Sequence, residues 1–154
     1  MDYLWLKLIH ILSATVLFGT GIGSAFYMFM ANRHKDIAGI YFATRHVVIA
    51  DWLFTTPSVI VQLATGLALA DVLGLPLTEG WVFWSLLLYF FAGACWLPVV
   101  WMQIKMRDMA KHALDTGTAL PDRYWYFDRW WITLGALAFP AVVAVIGLMV
   151  MKPA

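Results

Sequence analysis

Three residues within or at the edges of long apolar stretches, His10, His46 and Asp51, have side chains suited to chemistry. A polar group in such a stretch is costly and usually has a function. Imidazole binds transition metals and haem iron, whereas a buried carboxylate pairs with a cation or carries protons. Asp51 therefore has two interpretations, a structural ion pair with Arg45 or Arg129 and a proton relay.

The elements that must position these residues are four apolar stretches, at residues 3–31, 46–71, 81–104 and 130–151. Each is long enough to cross about 30 Å of hydrocarbon as a helix. Only 12% of the 154 residues are charged, and 63% are hydrophobic, whereas soluble domains carry about 25% charged residues. We predict an all-α, polytopic membrane protein, with residues 1–154 forming a single transmembrane domain built as a four-helix bundle.

The basic residues indicate how the bundle is oriented. Most of the ten Lys and Arg residues lie in the first and third connecting segments, and the second segment has none. Because such residues collect on the cytoplasmic side, both termini should be periplasmic in a bacterial inner (plasma) membrane. The partner of most of the surface is then the lipid bilayer. A net charge of +1 argues against nucleic acid as a partner.

His10 is the leading candidate for a haem ligand. Lys7, His10 and Ala14 follow one another at steps of three and four, so they share one face of the first helix. Ala14 and the glycines beyond it leave a flat surface for a macrocycle, and Lys7 would pair with a propionate. The alternative is that His10 forms a hydrogen bond to a neighbouring helix and the glycines only pack.

A polar stripe runs along one face of the second predicted helix. Its members are Asp51, Thr55, Ser58, Gln62 and Thr65. Because lipid cannot satisfy such a stripe, it should face the interior of the bundle. Ser85 of the third helix reaches a similar depth, so we predict a pocket of His10, Gln62, Thr65 and Ser85. A solvated pore, which would require an oligomer, is the other interpretation.

The second axial ligand is left open by the sequence. His46 begins the second helix, at the opposite face of the membrane, on the order of 15 Å from His10 along the normal. Met149 lies near the outer end of the fourth helix. His46, Met149, a backbone group and water therefore all stay as possibilities.

Four patterns give purely structural expectations. Trp130 and Trp131 should be interfacial anchors, because Trp prefers the headgroup zone. Gly19 and Gly23 form a GxxxG pair that permits close approach of helices. The third helix should extend past the membrane and end between Thr116-Gly117 and Pro121. Prolines should lie inside helices at Pro57, Pro98 and Pro140.

Several short motifs resemble known families. The opening segment 3–10, Thr56-Pro57, Thr65-Gly66, Gly80-Trp81 and the terminal Met151-Lys152-Pro153 occur in the order found in HemJ-type protoporphyrinogen oxidases. The segment RHVVIADWLFTTP is similar to the second helix of a family of uncharacterised bacterial integral membrane proteins. The helical plan also resembles CopD-type copper-resistance membrane proteins.

The resemblance implies a four-helix haem b protein in which His10 is a haem ligand. HemJ-type proteins also carry a lysine early in helix 3, which is tied to ligation or catalysis. Residues 80–86 contain no lysine. The chain therefore departs from these oxidases at a functional residue, and whether it is an enzyme stays open.

We expect a haem b-binding membrane protein with a redox or electron-transfer role. One alternative is a copper- or metal-handling protein of the CopD type, because histidine and methionine suit copper. Another is a non-catalytic accessory subunit of a larger membrane complex. The bundle is also small enough to form a homo-oligomer.

Overall fold

The structure, a computed structural model, describes residues 2–153, and within them it is built of helices and turns. The elements are α1 (Tyr3–His34), α2 (Ile37–Ala50), a π-helical turn (Asp51–Thr55), α3 (Thr56–Val72), α4 (Gly80–Thr116) and α5 (Asp122–Met151). The segment Ile37–Val72 is one continuous span, so the described residues form four helices long and apolar enough to cross a membrane. This architecture confirms the predicted four-helix membrane bundle.

Each helix extends beyond its apolar stretch. The second span begins at Ile37 rather than near residue 46, because the Asp36 side chain accepts a hydrogen bond from the Gly39 backbone N–H at 2.7 Å and caps the helix. α4 continues to Thr116, and Gly117 ends it at φ 64°, a conformation that favours glycine. The predicted break before Pro121 is confirmed.

The π-helical turn widens the second span just before Pro57. The Thr56 backbone N–H bonds to the Asp51 carbonyl, five residues back. Proline has no N–H and its ring clashes with the carbonyl four residues earlier, so a wider turn before it relieves the clash. The turn begins with Asp51 and ends with Thr55, and both side chains are buried. Pro98 and Pro140 lie inside α4 and α5, as predicted.

The helices form two pairs. α1 packs against Ile37–Val72, α4 packs along α5, and α2 joins the pairs by packing on α4. We call the half of the bundle near the α1–α2 turn and the α4–α5 connection the basic half, and the other half, with both chain ends, the terminal half. The buried apolar cluster lies toward the basic half. Its members include Met28, Ile40, Val47, Met102, Met106, Tyr124 and Phe127.

Two structural expectations are wrong. Trp131 is buried rather than interfacial, because its indole N–H has a polar partner inside the bundle, whereas Trp130 faces outward as predicted. Gly19 and Gly23 face away from the other helices, and a Cβ at either would meet no atom within 4 Å. The GxxxG pair therefore brings no helices together within the described chain.

Candidate ligand site

His10 is held between α1 and α3 by both of its ring nitrogens. Nδ1 lies 2.9 Å from Thr65 Oγ1, and Nε2 lies 3.0 Å from Gln62 Nε2. The Thr65 hydroxyl donates to the Val61 carbonyl at 2.6 Å, so its oxygen accepts the Nδ1 proton. This pattern assigns the tautomer with hydrogen on Nδ1 and the lone pair on Nε2, which accepts a hydrogen bond from the Gln62 amide.

The orientation of Gln62 is fixed from the other side. The Ser13 hydroxyl, one turn from His10 on α1, lies within hydrogen-bond distance of both Gln62 Oε1 and the His10 carbonyl. Donation to Gln62 Oε1 leaves the amide nitrogen for the imidazole. Gly66 permits the close approach, because a Cβ there would lie 3.2 Å from His10 Cε1. His10, Ser13, Gln62 and Thr65 thus form a hydrogen-bonded clamp between α1 and α3.

A cavity of about 570 Å³ lies between the two helix pairs. Its wall is mostly apolar and takes residues from α1, the second span, α4 and α5. Gly21, Gly93 and Gly135 line it, and a Cβ at any of them would meet no atom within 4 Å. The volume is within the range of small-molecule sites.

Gln62 connects the clamp to the cavity. It lines the cavity, whereas His10 lies behind it. Ala14, one turn beyond His10, also lines the cavity, and Met149 lines it from α5. The structure thus groups His10, Gln62 and Thr65, as predicted, and brings Ala14 and Met149 to the adjoining wall.

The other polar end of the cavity lies toward the basic half. Asp51 is 4% exposed and lies opposite Gln103 of α4. With the Gln103 amide oriented to satisfy both neighbours, Trp131 Nε1 donates to its oxygen at 3.2 Å and its nitrogen donates to Asp51 Oδ2 at 2.6 Å. Asp51, Gln103 and Trp131 all line the cavity.

The predicted ion pair of Asp51 is not formed in the described residues. Arg45 and Arg129 are both exposed, and the partner of Asp51 is the neutral amide of Gln103. A neutral hydrogen-bond partner avoids removing a second charge from water.

Three other predicted residues form no hydrogen bond to His10 in the described part of the chain. Lys7 is exposed, with its ammonium 5.7 Å from the centre of the Tyr3 ring. Ser85 is buried, but its hydroxyl has no hydrogen-bond partner in the described part of the chain. His46 is exposed, and its Nδ1 donates to the Phe42 carbonyl of its own helix at 2.7 Å.

Gln103 and Trp131 were missed from the sequence. Gln103 lies near the end of the third apolar stretch, and Asp51 lies near the start of the second. The two residues are therefore at a similar depth in the membrane, and that shared depth was the sequence signal for the pair. Tyr89 of α4 reaches across to α3, where its hydroxyl donates to the Val59 carbonyl at 2.7 Å.

The fold and these inward-facing polar groups define a four-helix integral membrane protein with an interior cavity. The chain belongs to the family described as predicted integral membrane protein (DUF2269), whose model matches residues 4–153. No curated protein and no solved structure matches the chain. The likeness to HemJ-type and CopD-type proteins stays a prediction.

Proposed function

We propose that the protein binds haem b in the cavity between the helix pairs, with His10 Nε2 as an axial ligand. Its role would be a redox or electron-transfer step in a bacterial inner membrane, with the basic half toward the cytoplasm and the termini in the periplasm. The bound haem would supply reversible electron exchange.

The contact between His10 Nδ1 and Thr65 Oγ1 is the observation that carries this proposal. A histidine that ligates a metal usually donates its other ring N–H to an oxygen, which fixes the ring and makes the ligating nitrogen more basic. Thr65 Oγ1 accepts from Nδ1 in this way. Nε2 is then the nitrogen with the lone pair, as iron ligation requires.

Ligation requires Gln62 to turn away from His10. Its amide is neutral and sits on a flexible side chain that already borders the cavity. Turning it away breaks its hydrogen bonds to His10 Nε2 and to Ser13, at roughly 1 kcal/mol each. The movement would open a path between Nε2 and the cavity, whose wall includes Ala14, one turn from His10.

Met149 is a better candidate than His46 for the second axial ligand. It lines the cavity from α5, opposite the helix that carries His10. His46 faces outward from α2. A His/Met pair raises the potential of a haem relative to other ligand sets, which suits an electron carrier. Lys7, exposed one turn from His10, has a side chain long enough to reach a propionate at the interface.

The absorption spectrum of the purified, haem-supplied protein tests the proposal. We expect a Soret band and sharp α and β bands on reduction. His10→Ala should lose the haem while remaining in the membrane fraction. His46→Ala is the matched control and should keep it, because that imidazole bonds only within its own helix. Full haem occupancy in His10→Ala would show that the ligand assignment is wrong, and a colourless wild type would refute haem binding.

Gln62→Ala separates a ligand histidine from one that only clamps two helices. Removing the amide frees Nε2 without touching the Thr65 contact. We expect haem to bind up to about fivefold more tightly, because one competing hydrogen bond is gone. If Gln62→Ala instead loses haem together with His10→Ala, the clamp itself is what matters and His10 is not the ligand.

A further inference from the structure

The basic-half end of the cavity contains polar groups that haem ligation by His10 does not use. Asp51, Thr55 and Gln103 line it, and each is buried. The Thr55 hydroxyl, in a side chain 4% exposed, has no hydrogen-bond partner in the described part of the chain. The Asp51 carboxyl group, four residues earlier, lies near this hydroxyl but outside hydrogen-bond geometry.

The Asp51 carboxyl group can accept more hydrogen bonds than it does. Gln103 donates to Oδ2 alone, and within residues 2–153 no aligned donor reaches Oδ1. A buried polar group without a partner is costly in an apolar setting, and a ligand that supplies the partner recovers that free energy. The site therefore offers one free hydroxyl donor and one free carboxyl oxygen.

Aromatic side chains line the same cavity as these polar groups. Trp96 and Trp131 line the same cavity from α4 and α5. Their flat rings favour a planar, aromatic or quinonoid head group, by stacking or edge contacts. A ring that carries oxygen atoms on its edge would meet Thr55 and Asp51 while its faces contact apolar side chains.

The cavity is open toward the lipid-facing surface between α1 and α5. Ile22 and Phe26 of α1 and Ala136 of α5 all line it, yet all three are exposed. A long apolar tail can leave the bundle at this opening and remain in the bilayer. The site thus suits a molecule with a small polar ring and a long hydrocarbon chain.

We propose that the basic-half end of the cavity binds the head group of a membrane quinone or its quinol. The Thr55 hydroxyl would donate to a ring carbonyl, Asp51 Oδ1 would accept from a ring hydroxyl of the reduced form, and the isoprenoid tail would leave past Ile22 and Phe26. Asp51 and Thr55 lie 11 and 7 residues along the second span from Gln62, about 16 Å and about 10 Å at 1.5 Å per residue. The site uses none of the residues assigned to haem.

Binding of a radiolabelled short-tail benzoquinone to the purified protein in nanodiscs tests this proposal. Thr55→Val keeps the shape of the side chain and removes only the hydroxyl, so the dissociation constant should rise by roughly fivefold to tenfold, the loss of one hydrogen bond. Thr55→Ser should restore the wild-type value. The matched control is Thr133→Val, an exposed threonine of α5 whose hydroxyl bonds to the Arg129 carbonyl, and it should change nothing.

Two comparisons make the result decisive. A ring-free isoprenoid alcohol of the same length should bind at least tenfold more weakly than the quinone, because it lacks the ring and the second oxygen. His10→Ala should leave the quinone affinity unchanged, which separates this site from the haem proposal. Equal affinity of the wild type and Thr55→Val, equal affinity for the ring-free alcohol, or no quinone binding would each overturn the assignment.

Discussion

The two halves of this bundle are built from the same long apolar helices but pack differently. In the basic half, methionine, isoleucine and aromatic side chains fill the interior, and Tyr124 donates to Asn32 Oδ1 at 2.7 Å while Asn32 Nδ2 donates to Asp128 Oδ1 at 2.7 Å. Toward the terminal half, the helix pairs enclose a cavity kept open by glycines. The comparison shows that an apolar sequence places the helices in a membrane, whereas the size of the interior side chains determines where the helices pack closely.

The difference has a physical cause. Inside a bilayer, helices gain little from hiding apolar surface, so their association depends on van der Waals packing and interhelical hydrogen bonds. An open cavity forfeits such contacts, and a bound ligand restores them. The closed half then acts as a rigid support, and the His10 clamp holds α1 to α3 beside the space that the ligand would fill.

The largest effect on stability should come from shortening a buried side chain in the packed half. Met106→Ala removes a fully buried side chain from the core and should lower the free energy of unfolding in detergent by about 2 kcal/mol. Leu17→Ala, which only enlarges the existing cavity, should cost less than about 0.5 kcal/mol. Chemical unfolding of both variants measures the difference. Equal losses would mean that the halves are packed alike.

A smaller effect should follow from the polar network of the packed half. Tyr124→Phe removes the hydroxyl that satisfies Asn32 and should cost about 1 kcal/mol, because the buried amide oxygen loses its donor. Tyr126→Phe, on the outward face of the same helix, is the control and should be neutral. The melting temperatures of the two variants in the same detergent report the result, and a neutral Tyr124→Phe would show that water already satisfies Asn32.

The smallest stability change, with a clear effect on ligand binding, is expected at the clamp. Thr65→Val removes the acceptor of the His10 Nδ1 proton and should weaken haem binding about tenfold, as loss of such a supporting contact usually does. Thr15→Val is the matched control, since that exposed threonine bonds to the Ile11 carbonyl of its own helix. A haem titration monitored at the Soret band compares them. If Thr65→Val binds haem with unchanged affinity, then the tautomer of His10 does not determine whether it ligates the iron.

The sequence predicts the helices and the inward polar stripe well. Polar residues spaced three or four apart share one face of a helix, and in lipid that face must turn toward the interior of the bundle. All five stripe residues are buried, and His10 meets Gln62 and Thr65 as expected. Partners across the bundle are harder to predict. The choice of Gln103 over Arg45 or Arg129 for Asp51 depends on how α4 rotates against the π-helical turn, which periodicity does not specify.

The sequence also did not specify which residues would line the cavity. Gly21 and Gly19 are two residues apart in a glycine-rich segment, yet only Gly21 lines the cavity. Which glycine matters depends on the angle between the helix pairs. That angle results from many side chains at once, among them the stacked rings of Phe18 and Phe139, 5.5 Å apart between centroids.

The haem content of three purified proteins, wild type, Gly19→Leu and Gly21→Leu, tests the central claim most directly. Both glycines lie on α1, and neither has a neighbour within 4 Å of an added Cβ. Gly21→Leu places a side chain in the cavity, whereas Gly19→Leu places one outside it. We predict stoichiometric haem in the wild type and Gly19→Leu, and little in Gly21→Leu. Equal haem content in the two variants would contradict the assignment of the cavity as the cofactor site.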